Sequence, residues 1–166
     1  MKILGAFALS AVFVAMAISC FGQDEEYTRL TLKGLKGVRV VVEDLSTGAE
    51  AGGLTRSLVQ TDVELRLRDA GIRVVSPREL GEPYLYVVIH AERVFQQSLY
   101  ATLIRVSFRQ NAVLERDRAI TAYGAETWSA GSVEIFSSEK MSRGTRDELG
   151  DLVDRFCKAY LSENTK

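Results

Sequence analysis

The hydrophobic positions of this chain form one unbroken apolar run, then stretches of period two, then stretches of period near 3.6. Residues 3–18 are uncharged and rich in Ala, Val and Leu. Lys2 stands before them, small residues follow from Ser19 to Gly22, and acidic Asp24-Glu25-Glu26 comes next. A basic start, an apolar middle and a small-residue exit predict an export signal over residues 1–22, with the folded body behind it. Residues 23–37 form an approach segment in which the pattern allows a short strand at 29–32. Gly37-Val38-Arg39-Val40-Val41-Val42-Glu43 is the densest β-branched stretch. Apolar side chains on both of its faces predict a central, well-buried strand. Residues 46–53 carry Gly48, Gly52 and Gly53 without apolar period and read as a loop.

From residue 54 to 70 the period turns helical. Leu54, Leu58, Thr61 and Leu65 define a stripe, with Val63 and Leu67 at its flank. Gly71 stands where a left-handed residue ends a helix. Ile72-Arg73-Val74-Val75 is a short strand stopped by Ser76-Pro77. A meander follows. Leu85, Val87, Ile89 and Ala91 share one face of a strand, and Tyr84, Tyr86, Val88, His90 and Glu92 the other. A turn near Gln96-Gln97 brings Leu85 opposite Phe108, Val87 opposite Val106 and Ile89 opposite Ile104, a register that keeps all three pairs on one face. Glu115-Arg116-Asp117-Arg118 is a charged turn before a last strand over 120–128. Residues 130–144 read as a polar connection that has room for a short strand at 133–136. Leu149, Val153, Phe156 and Tyr160, with Leu152 and Leu161 beside them, mark a final amphipathic helix. Acidic residues crowd its expected first turns and Lys158 its last.

The expected fold class is α+β in the order β-α-β-β-β-α: a mixed sheet, mostly an antiparallel meander, with two helices on one face. Residues 38–162 make the single domain and 163–166 a tail. A body of this length can bury a core without disulfide staples.

The end of the leader sets the compartment. Cys20-Phe21-Gly22 ahead of Gln23 suits ordinary signal peptidase, and so does Ala17-Ile18-Ser19 ahead of Cys20. The second cut is also a loose lipobox, which makes Cys20 the candidate lipidation site and the one route to a membrane through acyl chains. Retention of the run as an uncleaved anchor is the third fate, since about 20 apolar residues can span a bilayer. Each outcome is extracytoplasmic, and the expected location is the periplasm. The formal net charge of −1 offers no field that would draw nucleic acid. With Cys20 removed or lipidated, Cys157 has no intramolecular partner. Its place at the edge of a helical stripe predicts a buried, inert thiol.

The order of these elements behind an export leader with a loose lipobox resembles the TolB amino-terminal domain. It is similar too to the periplasmic domains of CsgG-like and LpoB-like envelope lipoproteins. The closing stretches Glu126-Thr127-Trp128-Ser129-Ala130-Gly131 and Leu152-Val153-Asp154-Arg155-Phe156, with Ala159-Tyr160-Leu161, also resemble those of bacterial secreted proteins. The resemblance implies a non-enzymatic envelope component that binds another protein. It transfers no functional residue.

Candidate chemistry is sparse. His90 is the one histidine, so a triad could use no other base, and a two-histidine metal site is ruled out within one chain. No catalytic residue, metal ligand or cofactor is expected. Glu43-Asp44 end a strand before the glycine-rich 43–53 segment, where a small ligand or a reaction could sit and the amides of Gly48, Gly52 and Gly53 could cradle an anion. No Lys-Ser/Thr or Gly-x-Gly-x-x-Gly accompanies them. Asp147, Glu148, Asp151 and Asp154 form the solvated side of the last helix. The outer meander face is the better surface: Tyr84, Tyr86, His90, Arg105 and Arg109 unite the residue types that dominate protein-binding hot spots. Cover by a helix or a second layer, or an ordinary solvated sheet face, is the other reading of that surface. The leading expectation is an exported, non-catalytic accessory protein that binds an envelope partner. A ligand-binding protein or enzyme using Glu43 to Gly53 is the alternative, and a subunit assembling through an exposed strand edge the third.

Overall fold

The computed structural model describes residues 21–75, 83–94 and 98–164. Residues 1–20 of the expected leader, Cys20 among them, the stop at Ser76-Pro77 and the turn at Gln96-Gln97 lie outside the described residues, whereas its last two residues, Phe21 and Gly22, are in a strand. The fold is a single α+β domain built on a five-stranded sheet of order β1-β5-β4-β3-β2. Strands β1 (Phe21–Gln23), β3 (Tyr84–Arg93), β4 (Leu99–Leu114) and β5 (Asp117–Ser137) pair antiparallel, and β2 (Arg39–Val42) joins β3 in parallel. Two long helices, α3 (Arg56–Asp69) and α4 (Met141–Asn164), pack side by side on one face.

The meander has the expected register: Leu85 opposes Phe108, Val87 opposes Val106 and Ile89 opposes Ile104. All six are buried, and they meet Trp128 and Phe156, whose ring centroids are 5.2 Å apart. Alternation carries this result, because a one-residue slip would turn the whole set to solvent.

Several expectations are corrected. The approach segment holds no strand at 29–32. Glu25 and Thr28 close a capping box around the single-turn helix α1 (Glu26–Arg29), and a 3-10 turn at Leu30–Leu32 buries Leu32. The Val-rich strand is at the sheet edge, not its centre. Its second apolar face is only half-buried at Val41, while Val40 and Val42 face the core. Residues 72–75 contribute one parallel bridge, Val38 to Val74, beside that edge. The glycine-rich loop contains the short helix α2 (Thr47–Ala51), capped by Ser46.

In α3 the buried row is Val59, Val63 and Leu67, whereas Thr61 is exposed and Leu65 is 50% exposed. Thr55 caps this helix through its hydroxyl, so Leu54 lies before it and a stripe counted from Leu54 starts in the wrong phase. The other end is as expected. Gly71 takes φ +77°, and the amides of Gly71 and Ile72 return to Arg68 and Leu67 in a Schellman closure.

Strand β5 runs through most of the expected polar connection, and α4 begins at Met141. Small residues there are buried rather than looped: Ser129, Ala130, Gly131 and Ser132 pair with the centre of β4. The acidic residues of α4 consequently lie beyond its first turn, which contains none. Its stripe of Leu149, Leu152, Val153, Phe156 and Tyr160 is buried as the period demands, and Leu161 is at the rim with 36% exposure. Cys157 is a buried free thiol, pushed up to about 11 by burial and then by Asp154.

Candidate functional site

The sheet has one helix-covered face and one face that no described helix covers. Side chains alternate along each strand, so the residues left over from the core define the open face row by row. Arg39, Tyr84, Arg109 and Glu126 make one row across four strands. Val41, Tyr86, Ser107 and Ser129 make the next, Val88, Arg105 and Gly131 a third, and His90, Leu103 and Val133 a fourth. All five residues expected to share a surface are thus brought to one face.

They form a layer that lies down on the sheet. The Arg109 guanidinium stacks 4.1 Å from the Tyr86 ring centre, and that of Arg39 lies 5.2 Å from the Tyr84 ring centre. The two tyrosines meet edge to face at 6.1 Å. Beneath them Ser107 is 1% exposed although it belongs to the open face. Tyr86 donates to Glu43 Oε2 at 2.8 Å, and this bond, ahead of burial, holds the phenol above its ordinary pKa. Arg105 pairs with Glu126. By contrast, the guanidiniums of Arg39 and Arg109 have no ion pair among the described residues, and their buried Nε atoms have no hydrogen-bond acceptor there. His90 stands at the far end of the aromatic row, its side chain 59% exposed and Nε2 3.3 Å from Glu92 Oε1.

Sequence reasoning missed Arg39, which belongs to the strand read as central. It missed Val133 and Ile135 as well, now 40% and 62% exposed on β5. A weak signal exists in the room for a short strand at 133–136, but without a register to β4 its face is undetermined.

The glycine-rich segment does not form an anion cradle. The amide of Gly52 donates to Gly48 O and that of Gly53 to Glu50 O, so both are used inside α2 and its last turn. A Cβ on Gly48 would fall 2.0 Å from Ala91 O, and one on Gly52 would fall 2.3 Å from Met141 Sδ. These glycines permit close packing of α2 on β3 and α4. A second concavity of about 630 Å³ lies between α3 and α4, away from the sheet. Most of its charges are paired: Arg146 bonds Asp62 through Nε and Nη2 at 2.6 and 3.0 Å, and Arg66 bonds Asp154 at 2.8 Å, while Asp69 also lines the space. Asp147 meets Arg143 at 3.7 Å. No group of three or more metal-ligating side chains exists among the described residues.

Fold and face together define an α+β domain with an open-faced mixed sheet bearing a lying-down Tyr/Arg layer. No protein-family model matches the chain, and no curated protein sequence matches it. Among solved structures it is similar to the PelC L103M dodecamer from Paraburkholderia phytofirmans, with a TM-score of 0.48 and 16% identity over 72% of this chain and 86% of that one. It is similar also to a minor lipoprotein from Acinetobacter baumannii, with a TM-score of 0.41 and 11% identity over 76% of this chain and 91% of that one. No helix among the described residues is long and apolar enough to cross a membrane.

Proposed function

We propose that this is an exported envelope accessory protein that binds another protein through the open face, without catalysis. One observation carries the reading. Two tyrosines and two arginines are stacked into a fixed layer on a sheet face that no other described element covers. Tyr and Arg supply large contact area at low ordering cost, and here their rotamers are already held by one another. The export leader supports the compartment.

The test places a photo-crosslinking amino acid at Tyr86 in the native envelope. A discrete adduct, absent when the crosslinker stands at Thr61 on the exposed side of α3, is the expected result. Tyr86→Ala and Arg109→Ala should each weaken that partner's affinity by about 2 kcal/mol, the hot-spot scale. Equal, diffuse adducts from both positions would remove the reading.

A further inference from the structure

The chain enters the sheet at an informative place. Phe21 pairs with Gly131, Gly22 with Ala130 and Gln23 with Ser129, so Phe21, the first described residue, lies toward the end of β5 that leads to Val133 and Ile135. Gly22 is built into this pairing: a Cβ there would fall 2.3 Å from Ser129 O and 2.7 Å from Ala130 Cα. A cut after Gly22 would discard two of the three β1 residues. A cut before Cys20 keeps all three.

Only Ser19 and Cys20 separate the apolar run 3–18 from Phe21. Two residues reach at most about 7 Å. If the run itself is retained, or if acyl chains are carried at residue 20, the lipid boundary begins within that reach of the sheet. Val133 and Ile135 lie two and four residues beyond Gly131, hence about 7 and 13 Å along the strand at its ordinary rise. Both point to the open face, and Ile135, at 62%, is the most exposed large aliphatic side chain of the described residues, with Val133 at 40%. Leu103 and Ala101, their cross-strand partners, continue the patch.

We propose that the end of the open face formed by Ala101, Leu103, Val133 and Ile135 is a lipid-contact surface, seated at the headgroup boundary of the membrane that tethers the chain ahead of Phe21. The proposal rests on the envelope reading but not on the partner site. The Tyr/Arg layer lies on the other side of Gly131, toward Glu126, and so stays clear of the lipid. The tether holds the patch at the interface continuously, so a small apolar area suffices where a free protein would need a larger one.

The experiment uses the full chain, made in a bacterial host, recovered with the amino terminus it then carries, and reconstituted in vesicles of phosphatidylethanolamine and phosphatidylglycerol. An environment-sensitive thiol dye is attached at Ile135→Cys, with Val133→Cys as the second position should the first variant not fold. Val113→Cys, at the opposite end of the sheet, is the reference. The buried Cys157 stays unlabelled. The expected result is blue-shifted emission at residue 135, lost when nitroxide-labelled lipid is included, with neither effect at residue 113. Water-like emission at both positions overturns the proposal. Emission that is blue-shifted but insensitive to nitroxide lipid also overturns it, because a second copy or the leader then covers the patch. Recovery of an unlipidated chain beginning at Cys20 or at Gln23 that does not bind vesicles overturns it as well. Lipid contact at residue 135 with no adduct at Tyr86 would remove the partner site and leave this surface standing.

Discussion

Ser46 Oγ makes three contacts within one small seam: it donates to Ala91 O at 3.0 Å and accepts from Ala91 N at 2.9 Å and Ala49 N at 3.3 Å. Gly48 lies in the same seam, where its missing Cβ lets α2 touch the β3 backbone. Ser46→Ala strips the amide of buried Ala91 of its acceptor and should cost about 1–3 kcal/mol in urea unfolding. Gly48→Ala must push α2 away and should cost a similar ~1–3 kcal/mol. Because both act on one contact, the double variant should lose less than the sum. Cys157 supports a prediction of a different kind. Its thiol stays protonated in the folded chain up to about pH 11, whereas in the unfolded chain it ionises near its ordinary value. The unfolded state therefore releases the proton first, and this contribution to stability is intact below the ordinary thiol range and shrinks as pH rises toward 11. Native protein at pH 8 should react with a thiol reagent only after urea unfolding. Stability measured against pH should fall more steeply above the ordinary range than in Cys157→Ala, and equal slopes would refute the assignment.

Elements were legible where alternation or capping acted locally, and misread where neighbours decided. The β3–β4 register followed from three apolar pairs that only one alignment satisfies, and the end of α3 from Gly71. The burial of α3 did not, because Thr55 resets its phase and only the sheet beneath selects Val59, Val63 and Leu67 over Leu58 and Leu65. Strand β5 was cut short in the reading because Ser129, Gly131 and Ser132 have turn-like composition. What holds them in a strand is pairing with β4 on one side and, for Ser129 and Gly131, with β1 on the other, information that no local window contains. The β1 end depends on one further side chain. Asp24 accepts from Arg29 Nε at 2.7 Å and from Nε1 of fully buried Trp128 at 2.9 Å. Burial alone would raise its pKa, but these two bonds together with the charges of Arg29 and Arg155 hold the carboxyl below its ordinary value. Its contribution is thus present above the ordinary Asp pKa of about 3.9 and is lost as pH falls through the lower folded value. Asp24→Ala leaves the indole N–H without its acceptor and should cost about 1–3 kcal/mol. Trp128, the only tryptophan, reports it directly: its emission should shift red, and the acid limb of the stability profile should flatten.

At the scale of the whole molecule the sheet is asymmetric, and its ends do different work. One end carries the chain's approach from the leader and the exposed Val133 and Ile135. The middle carries the Tyr/Arg layer, whose residues the alternation on β3 and β4 had already placed together, while Arg39 waited on the parallel pairing of β2. The other end is a two-stranded arm. Pairing with β3 stops at Arg109, after which residues 110–114 of β4 and 117–125 of β5 continue alone around the turn at Glu115-Arg116. Register shifts interrupt their ladder, and Val113, Ile120 and Tyr123 are 59%, 43% and 82% exposed. A hairpin with no third strand is marginal in water, since it buries little apolar surface to offset ordering its backbone. Its opening free energy should therefore be small compared with that of the core, where Phe108, Trp128 and Phe156 are locked together. Arg116 and Arg118 are exposed at its tip and offer trypsin two sites. Brief digestion of the native protein should cut there first and leave the two halves associated, because β4 and β5 remain paired from Leu99 to Phe108 opposite Trp128 to Ser137. The nicked protein should retain its near-ultraviolet signal from Trp128 and most of its urea midpoint. First cleavage at Arg105 or Arg109 instead, or collapse of the tryptophan signal on nicking, would mean that the arm and the core unfold as one unit.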